Sequence, residues 1–298
     1  GDDRGRLRAV SPPGGLPQAD AEGPRGDGAH LPPPWPRRTE ERHPLGRPGV
    51  KRFELERAIS ENELVLHYQP MVEVPSRRIT GVEALVRWKH PERGLVSPLE
   101  FIPEAEATGL IRRLTFWVLR EALLQSNVWR RDNAPLTVAV NLSIDNLHDP
   151  HFRRYMELTL KVAGGPELLI MEANSRALAR DPSPPIETFE LMRAQGIRVT
   201  LDDATDEDAH ILEKLPADLV KVSRGLVMRM ARDHRAIEYV SAVVRAARDR
   251  GLETIAVGVE DEATWDRIVE LGFSGAQGYL IAAPMPPIQL SEWRAARV

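Results

Sequence analysis

Residues Ile79–Trp88 read ITGVEALVRW, an apolar run whose length and composition are typical of a buried strand. A carboxylate, Glu83, interrupts this run four residues after Ile79. A buried carboxylate is unfavourable unless it has a hydrogen-bonding partner or a cation. The stretch therefore predicts a strand that carries an acid toward a polar site inside the fold.

Similar runs recur along the chain, and helical patterns with apolar residues three and four apart lie between most of them. The other runs are LVLHYQP, LTVAVNLS, LLIMEA, RVTLDD, LVKVS, ETIAVGV and AQGYLI. They are almost continuously apolar, as expected of strands that are covered on both faces. About eight strands over roughly 245 residues is the usual content of a (β/α)8 barrel. We therefore predict an α/β fold, a TIM-like barrel over residues 51–298.

A doubly wound open sheet is the alternative fold, but the glycine-rich phosphate loop that is typical of it is not found in the sequence.

Residues 1–50 differ from the rest because they are rich in Pro and Gly and poor in apolar residues. Such a segment buries too little surface to offset its ordering entropy, so we expect a disordered linker or tail. A linker at this position suggests that a sensory or signalling domain precedes it in a longer protein.

The composition excludes several classes of function. The formal net charge of -4, from 40 Lys+Arg and 44 Asp+Glu, gives no reason to expect a nucleic acid polymer as partner. With 0 Cys there is no disulfide, thiolate metal site or cysteine nucleophile, which fits a cytoplasmic protein. No apolar run reaches the ~18 residues of a membrane span, so we expect no membrane segment in this chain.

Polar residues close several of the predicted strands, and in a barrel the carboxyl ends of the strands carry the functional groups. These residues are Glu83, Asn141, Glu172, Asp202, Asp203, Lys221 and Gln277. A single acid there is usually only a helix cap, but a converging set of acids would repel. Lys221 offsets one charge, and a bound cation would offset the rest. Oxygen ligands without Cys suit Mg²⁺ or Mn²⁺.

The sequence from about Phe53 to Trp293 resembles the EAL domain, the barrel that binds and often hydrolyses the bacterial second messenger cyclic di-GMP. The stretches that carry the resemblance are LHYQPMV, ITGVEALVRWKHPERGLVSPLEFIPEAEATGLI, VAVNLS, GIRVTLDD, LPADLVKV and GVE…LGFSGAQGYL. They follow one another in the family's order over the whole domain.

In active members, the resemblance implies, two divalent ions activate a water that opens one phosphodiester and yields linear pGpG. The metal ligands carried over to this sequence are Glu83, Asn141, Glu172, Asp202 and Asp203. The implied catalytic groups are Glu83, Asp203 and Lys221. The implied contacts to the ligand are Gln69, Leu85, Arg87, Glu260 and Gln277. Arg87 would pair with a phosphate oxygen, which a guanidinium does well.

The sequence departs from the family pattern at several places near this site, including Ser223, which replaces the Asp of the usual KID. IMEANS stands for the usual LEITES, so Ser175 replaces the Glu that braces the catalytic loop. DDATDEDAHI stands for DDFGTGYSSL, which alters the loop at 204–210 that normally organises the second metal and the dimer contact. AVGVE stands for AEGVE, so Val257 replaces a Glu implicated in activating water.

These departures favour a domain that binds cyclic di-GMP as a receptor or regulatory module, with weak or no hydrolysis. A working Mg²⁺- or Mn²⁺-dependent phosphodiesterase is the first alternative, because most of the implied metal ligands survive. A protein-interaction domain that binds no nucleotide is the second, with the acidic loop Asp206–Asp208 as a surface for a basic partner. The sequence leaves both enzymatic activity and homodimerisation open.

Overall fold

A computed structural model of the chain describes residues 50–163, 165–181, 183, 185–205 and 213–297. The predicted linker at 1–50 lies almost wholly outside these ranges. So does most of the altered loop at 204–210, including its acidic residues Asp206–Asp208.

In the described ranges, nine strands form one sheet in the order β1-β9-β8-β7-β6-β5-β4-β2-β3, and a further pairing of β1 with β2 closes it into a barrel. The strands are β1 (Leu64–Glu73), β2 (Ile79–His90), β3 (Gly94–Val96), β4 (Thr137–Leu142), β5 (Leu169–Asn174), β6 (Arg198–Ala204), β7 (Leu219–Val222), β8 (Glu253–Val257) and β9 (Gly275–Gln277). The closure confirms the predicted barrel and excludes the open doubly wound sheet.

Two features of the sheet differ from a simple repeat of parallel strands. Strand β1 runs antiparallel to both β2 and β9, whereas the remaining barrel pairs, from β2 through β4 to β9, are parallel. Strand β3 lies outside the ring and pairs antiparallel with the end of β2, His90 opposite Gly94. The sequence patterns did not predict β3, because a run of three residues is too short to show a period.

Helices lie between most of the strands of the barrel. Within the described ranges they are α1 (Arg52–Ser60), α2 (Pro98–Ala107), α3 (Ile111–Arg131), α4 (Ile144–Leu147), α5 (Phe152–Ala163), α6 (Ser175–Ala179), α7 (Ile186–Ala194), α8 (Arg224–Arg229), α9 (His234–Asp249), α10 (Glu262–Leu271) and α11 (Pro287–Ala295). Gly109, which adopts a positive φ of 74, lies between α2 and α3 and separates them. Among the helices described, none is long and apolar enough to cross a bilayer.

The interior of the barrel is built in layers. Its lower layer is an apolar cluster of Met71, Ala139, Ile170, Leu219 and Ile255. Because successive side chains on a strand alternate between its faces, the residue two positions later points into the same interior. The next layer toward the carboxyl ends of the parallel strands is therefore made by Asn141, Glu172, Lys221 and Val257. The fold thus brings polar residues from separate strands to one level above an apolar floor.

Candidate active site

Lys221 lies at the centre of the polar layer. Its side chain is buried, with 1% of the residue exposed. Its Nζ lies 2.8 Å from Oε2 of Glu83 and 3.0 Å from Oε2 of Glu172. Oδ1 of Asp202 is slightly farther away, at 3.7 Å. The carboxylates attract the ammonium strongly enough to outweigh its burial, so the pKa of Lys221 is raised well above its usual value and the group stays charged.

Two amides complete the surroundings of Glu83. Asn141 donates from Nδ2 to Oε1 at 2.9 Å, and Gln277 donates from Nε2 to Oε2 at 2.9 Å. The same Gln277 nitrogen lies 3.2 Å from Oε1 of Gln69, which links β1 to the cluster. Burial alone would raise the pKa of Glu83, but Lys221 and these hydrogen bonds outweigh it and lower the pKa. Glu83 is therefore a fixed anion.

Glu172 and Asp202 behave differently from Glu83. Burial, together with the negative charges of Glu83 and Asp202, raises the pKa of Glu172 to about 8. Burial and the charge of Glu83 likewise raise the pKa of Asp202. Oε1 of Glu172 is buried and has no hydrogen-bond partner among the described residues. One ammonium is thus not enough to stabilise all three carboxylates as anions.

The end of β6 is irregular where its two acids stand. The register with β7 shifts between Leu201 and Ala204, and Asp203 adopts a left-handed φ of 56. Ser175, the first residue of α6, is fully buried and donates from Oγ to the backbone oxygen of Asp202 at 2.6 Å. Ser175, which stands where the family has the bracing Glu, thus contacts the backbone of Asp202.

The wall above Glu83 is formed by the antiparallel pair of β1 and β2. Gln69 is opposite Glu83, and His67 is opposite Leu85, one step nearer the mouth. Leu85 and Arg87 follow Glu83 on the same face of β2 and are half-buried. The three predicted ligand contacts Gln69, Leu85 and Arg87 therefore lie on one continuous wall of the mouth.

Val257 and Glu260, at and beyond the end of β8, point to different places. Val257 points into the barrel and pairs in register with Gln277. Glu260 lies beyond the strand, is exposed, and pairs with Nη2 of Arg224 at 2.6 Å. Gly258 lies between them at φ 83, where a Cβ would be 2.3 Å from Cγ of Arg224. Glu260 therefore does not join the central cluster, and among the described residues no carboxylate takes the inward position of Val257.

The donor set has the chemistry of a divalent cation site, since carboxylate and amide oxygens are what Mg²⁺ and Mn²⁺ prefer. The buried Oε1 of Glu172 is an acceptor that such an ion would satisfy. Yet no three His, Cys, Asp or Glu side chains in the described parts of the chain form a ready metal-binding cluster. Lys221 lies between the carboxylates instead.

Comparison with known proteins assigns the family. The sequence profile of the EAL domain matches residues 52–284. The chain belongs to the EAL domain family. The resemblance seen in the motifs is thereby confirmed over the whole barrel.

Curated relatives of this EAL domain include enzymes of cyclic di-GMP metabolism. The bifunctional diguanylate cyclase/cyclic di-GMP phosphodiesterase MucR of Pseudomonas aeruginosa is 36% identical over 249 residues, which cover 80% of this chain and 35% of MucR. The cyclic di-GMP phosphodiesterase PdeR of Escherichia coli is 31% identical over 242 residues, 80% of this chain and 36% of PdeR. The chain thus spans about a third of the length of these relatives.

Solved structures agree with this assignment. The MucR phosphodiesterase in complex with c-di-GMP superposes with a TM-score of 0.74 at 36% identity, covering 80% of this chain and 98% of that one. The FimX EAL domain of Xanthomonas citri, also a c-di-GMP complex, gives a TM-score of 0.72 at 21% identity, covering 78% and 92%. At that lower identity the likeness concerns the fold alone.

Sequence reasoning missed two residues near the mouth of this EAL domain. His67 lies on the interior face of β1, two residues before Gln69. Arg224, the first residue of α8, pairs with Glu260. The period of two along LVLHYQP would have found His67, because it places His67 and Gln69 on one face. No sequence signal pairs Arg224 with Glu260, since their contact depends on the adjacent ends of two strands.

Proposed function

We propose that this EAL domain binds cyclic di-GMP at the carboxyl-terminal mouth of its barrel and hydrolyses it weakly or not at all. The observation that carries the proposal is the inward-facing Val257, which lies beside Gln277 where the family motif has a Glu. An isopropyl group can neither accept a proton from water nor bind a cation. Loss of a group with either role commonly lowers a rate by about 10²–10⁴-fold.

Binding is supported by the intact wall of the mouth. Arg87 is half-buried and supplies a guanidinium, which suits the anionic phosphates of a cyclic dinucleotide. Leu85 offers an apolar surface on the same strand face. Gln277 donates from Nε2 to both Gln69 and Glu83, and Gln69 donates to the backbone oxygen of Ala282, so both amides are held in place. The MucR structure of this fold is itself a c-di-GMP complex.

Glu83, Asn141, Glu172 and Asp202 are the residues that would hold Mg²⁺ or Mn²⁺. A bound ion would supply a Lewis acid for the phosphate and for water. Lys221 already compensates part of the acidic charge through its two closest contacts, at 2.8 and 3.0 Å. The polar layer therefore has an internal counter-charge for part of its acids, which suits a binding module that retains its site without turnover.

A working phosphodiesterase is the second candidate, and a specific observation favours it. This candidate is supported by the contacts that Glu83, Asn141, Glu172 and Asp202 make around Lys221. Relatives at 31–36% identity are named as phosphodiesterases. The two proposals differ in turnover, not in the site that they use.

One experiment separates these functions. Cyclic di-GMP is titrated into the protein by calorimetry, and the same sample is then incubated with Mg²⁺ or Mn²⁺ and its nucleotides separated by chromatography. The proposal expects saturable binding and unchanged cyclic di-GMP. Steady production of pGpG would instead establish the phosphodiesterase. Absence of binding would leave the protein-interaction domain as the remaining reading of the fold.

A further inference from the structure

A histidine lies in the wall of the mouth, at a position to which neither the family motifs nor the proposed mechanism gives a role. His67 is buried, with 7% of the residue exposed. It stands on the same face of β1 as Gln69 and Met71. Met71 belongs to the apolar floor of the barrel, and Gln69 contacts Gln277 in the polar layer. His67 is therefore the next residue of that face toward the mouth.

Its neighbours on the adjacent strand are predicted ligand contacts. His67 is directly opposite Leu85 in the antiparallel pair, and Arg87 is one step farther along the same face. Side chains directly opposite on one face have Cβ atoms about 4.5–5.5 Å apart. A ligand that touches both Leu85 and Arg87 therefore comes within reach of the imidazole.

The surroundings fix the chemical state of this imidazole. Burial, followed by the positive charges of Arg87 and Lys89, lowers the pKa of His67 to about 4. At neutral pH the ring is uncharged, with one nitrogen that donates and one that accepts a hydrogen bond. Such a ring suits the polar edge or the face of a nucleobase, whereas the guanidinium of Arg87 suits a phosphate.

We propose that His67 is a further ligand-contact residue of this EAL domain, whose imidazole touches the nucleotide next to Leu85 and Arg87. The inference rests on the proposed binding of cyclic di-GMP. It adds a second residue of β1, beside Gln69, to the ligand contacts predicted on β2. Gln69 contacts Gln277 in the polar layer, and His67, one step nearer the mouth, contacts the nucleotide.

The test compares His67→Phe with the unmodified protein in a calorimetric titration with cyclic di-GMP. Phe keeps the ring and its packing but removes both polar nitrogens. We expect affinity about tenfold weaker, the scale of one lost hydrogen bond in a buried site. If this variant does not fold, His67→Asn replaces it. Nuclear magnetic resonance of the labelled imidazole in the unmodified protein is a second readout, and we expect its ring signals to shift on titration.

His90 provides a matched control. It is a buried histidine, with 8% exposed, but it lies on the outer face of β2 with its ring 5.0 Å from that of Trp88. His90→Phe should bind cyclic di-GMP as the unmodified protein does. Equal affinity of the His67 and His90 variants, with unmoved imidazole signals, overturns the contact and leaves the proposed function standing. If the unmodified protein binds no cyclic di-GMP, both the contact and the proposed function fall.

Discussion

Lys221 on β7 donates to Glu83 on β2 across the barrel, with Nζ 2.8 Å from Oε2. Both groups are held from further sides, Lys221 by Glu172 and Glu83 by Asn141 and Gln277. The pKa of Lys221 is raised and the pKa of Glu83 is lowered, so both shifts favour the charged form of each group. The polar layer is thus organised around an internal ion pair that joins opposite walls of the EAL barrel.

Removing the cation from this pair should destabilise the fold. In Lys221→Met, Glu83 and Glu172 remain buried without their ammonium. Breaking a buried pair by removing one partner costs about 3–5 kcal/mol. We expect a loss of that size in the free energy of unfolding, measured by urea denaturation at pH 8.

Lys214→Met is the control, because Lys214 is exposed and the same substitution there should change the free energy of unfolding by less than about 0.5 kcal/mol. Equal unfolding curves for the two variants would show that Lys221 is not the counter-charge of the layer.

Restoring the missing carboxylate should raise turnover. In Val257→Glu the new side chain points into the barrel beside Gln277, at the level of the acids. We expect pGpG formation with Mn²⁺ to rise about tenfold or more; the gain should stay below the full ~10²–10⁴-fold of such a group because the loop at 204–210 remains altered. Chromatography of the reaction products measures it. Val257→Gln has nearly the same shape without the charge and should stay as slow as the unmodified protein. If both variants are equally slow, the defect does not lie at 257 alone.

Ser175 should contribute to stability through its single hydroxyl. Ser175→Ala leaves the backbone oxygen of Asp202 without its 2.6 Å hydrogen bond. A buried polar group that loses its partner costs about 1–3 kcal/mol, and urea denaturation should show that loss. Ser175→Thr keeps the hydroxyl and should recover most of it. Ser126→Ala is the matched control, because its Oγ is buried without a hydrogen-bond partner in the described structure. A Ser175→Ala protein as stable as Ser126→Ala would contradict the role of the hydroxyl.

Much of this fold could be predicted because each signal was local. The apolar runs on either side of Glu83 and Lys221 define strands, and in a barrel their carboxyl ends meet. The convergence of Glu83, Glu172 and Lys221 follows from that geometry and needs no knowledge of side-chain contacts. The departures at Ser175 and Val257 were likewise visible in the sequence, because each replaces a carboxylate within a recognisable motif.

Other features depend on relationships that a linear pattern does not carry. Alternation of apolar residues is the same for either strand direction, so it could not show that β1 is antiparallel. The pairing of Glu260 with Arg224 requires the ends of β7 and β8 to be adjacent, and it removes Glu260 from the cluster. His67 lies near the amino-terminal end of β1. Because β1 is antiparallel to the other barrel strands, this end lies at the mouth, and a search limited to the carboxyl ends of strands does not find it.

The pH dependence of stability should identify His67 as a buried neutral histidine. Its pKa of about 4 lies below the ordinary 6.5, so protons favour the unfolded chain. Above pH 6.5 both states are neutral and His67 has no effect. As the pH falls from 6.5 to 4, the unfolded chain binds a proton that the folded protein does not, and stability falls by about 3 kcal/mol. Carboxylates also titrate toward the lower end of this range, so the measured quantity is the difference in free energy of unfolding between the unmodified protein and His67→Asn. As the pH falls, the free energy of unfolding of the unmodified protein should decrease relative to that of His67→Asn. A difference that stays constant from pH 7 to pH 4.5 would mean that His67 is protonated equally in both states.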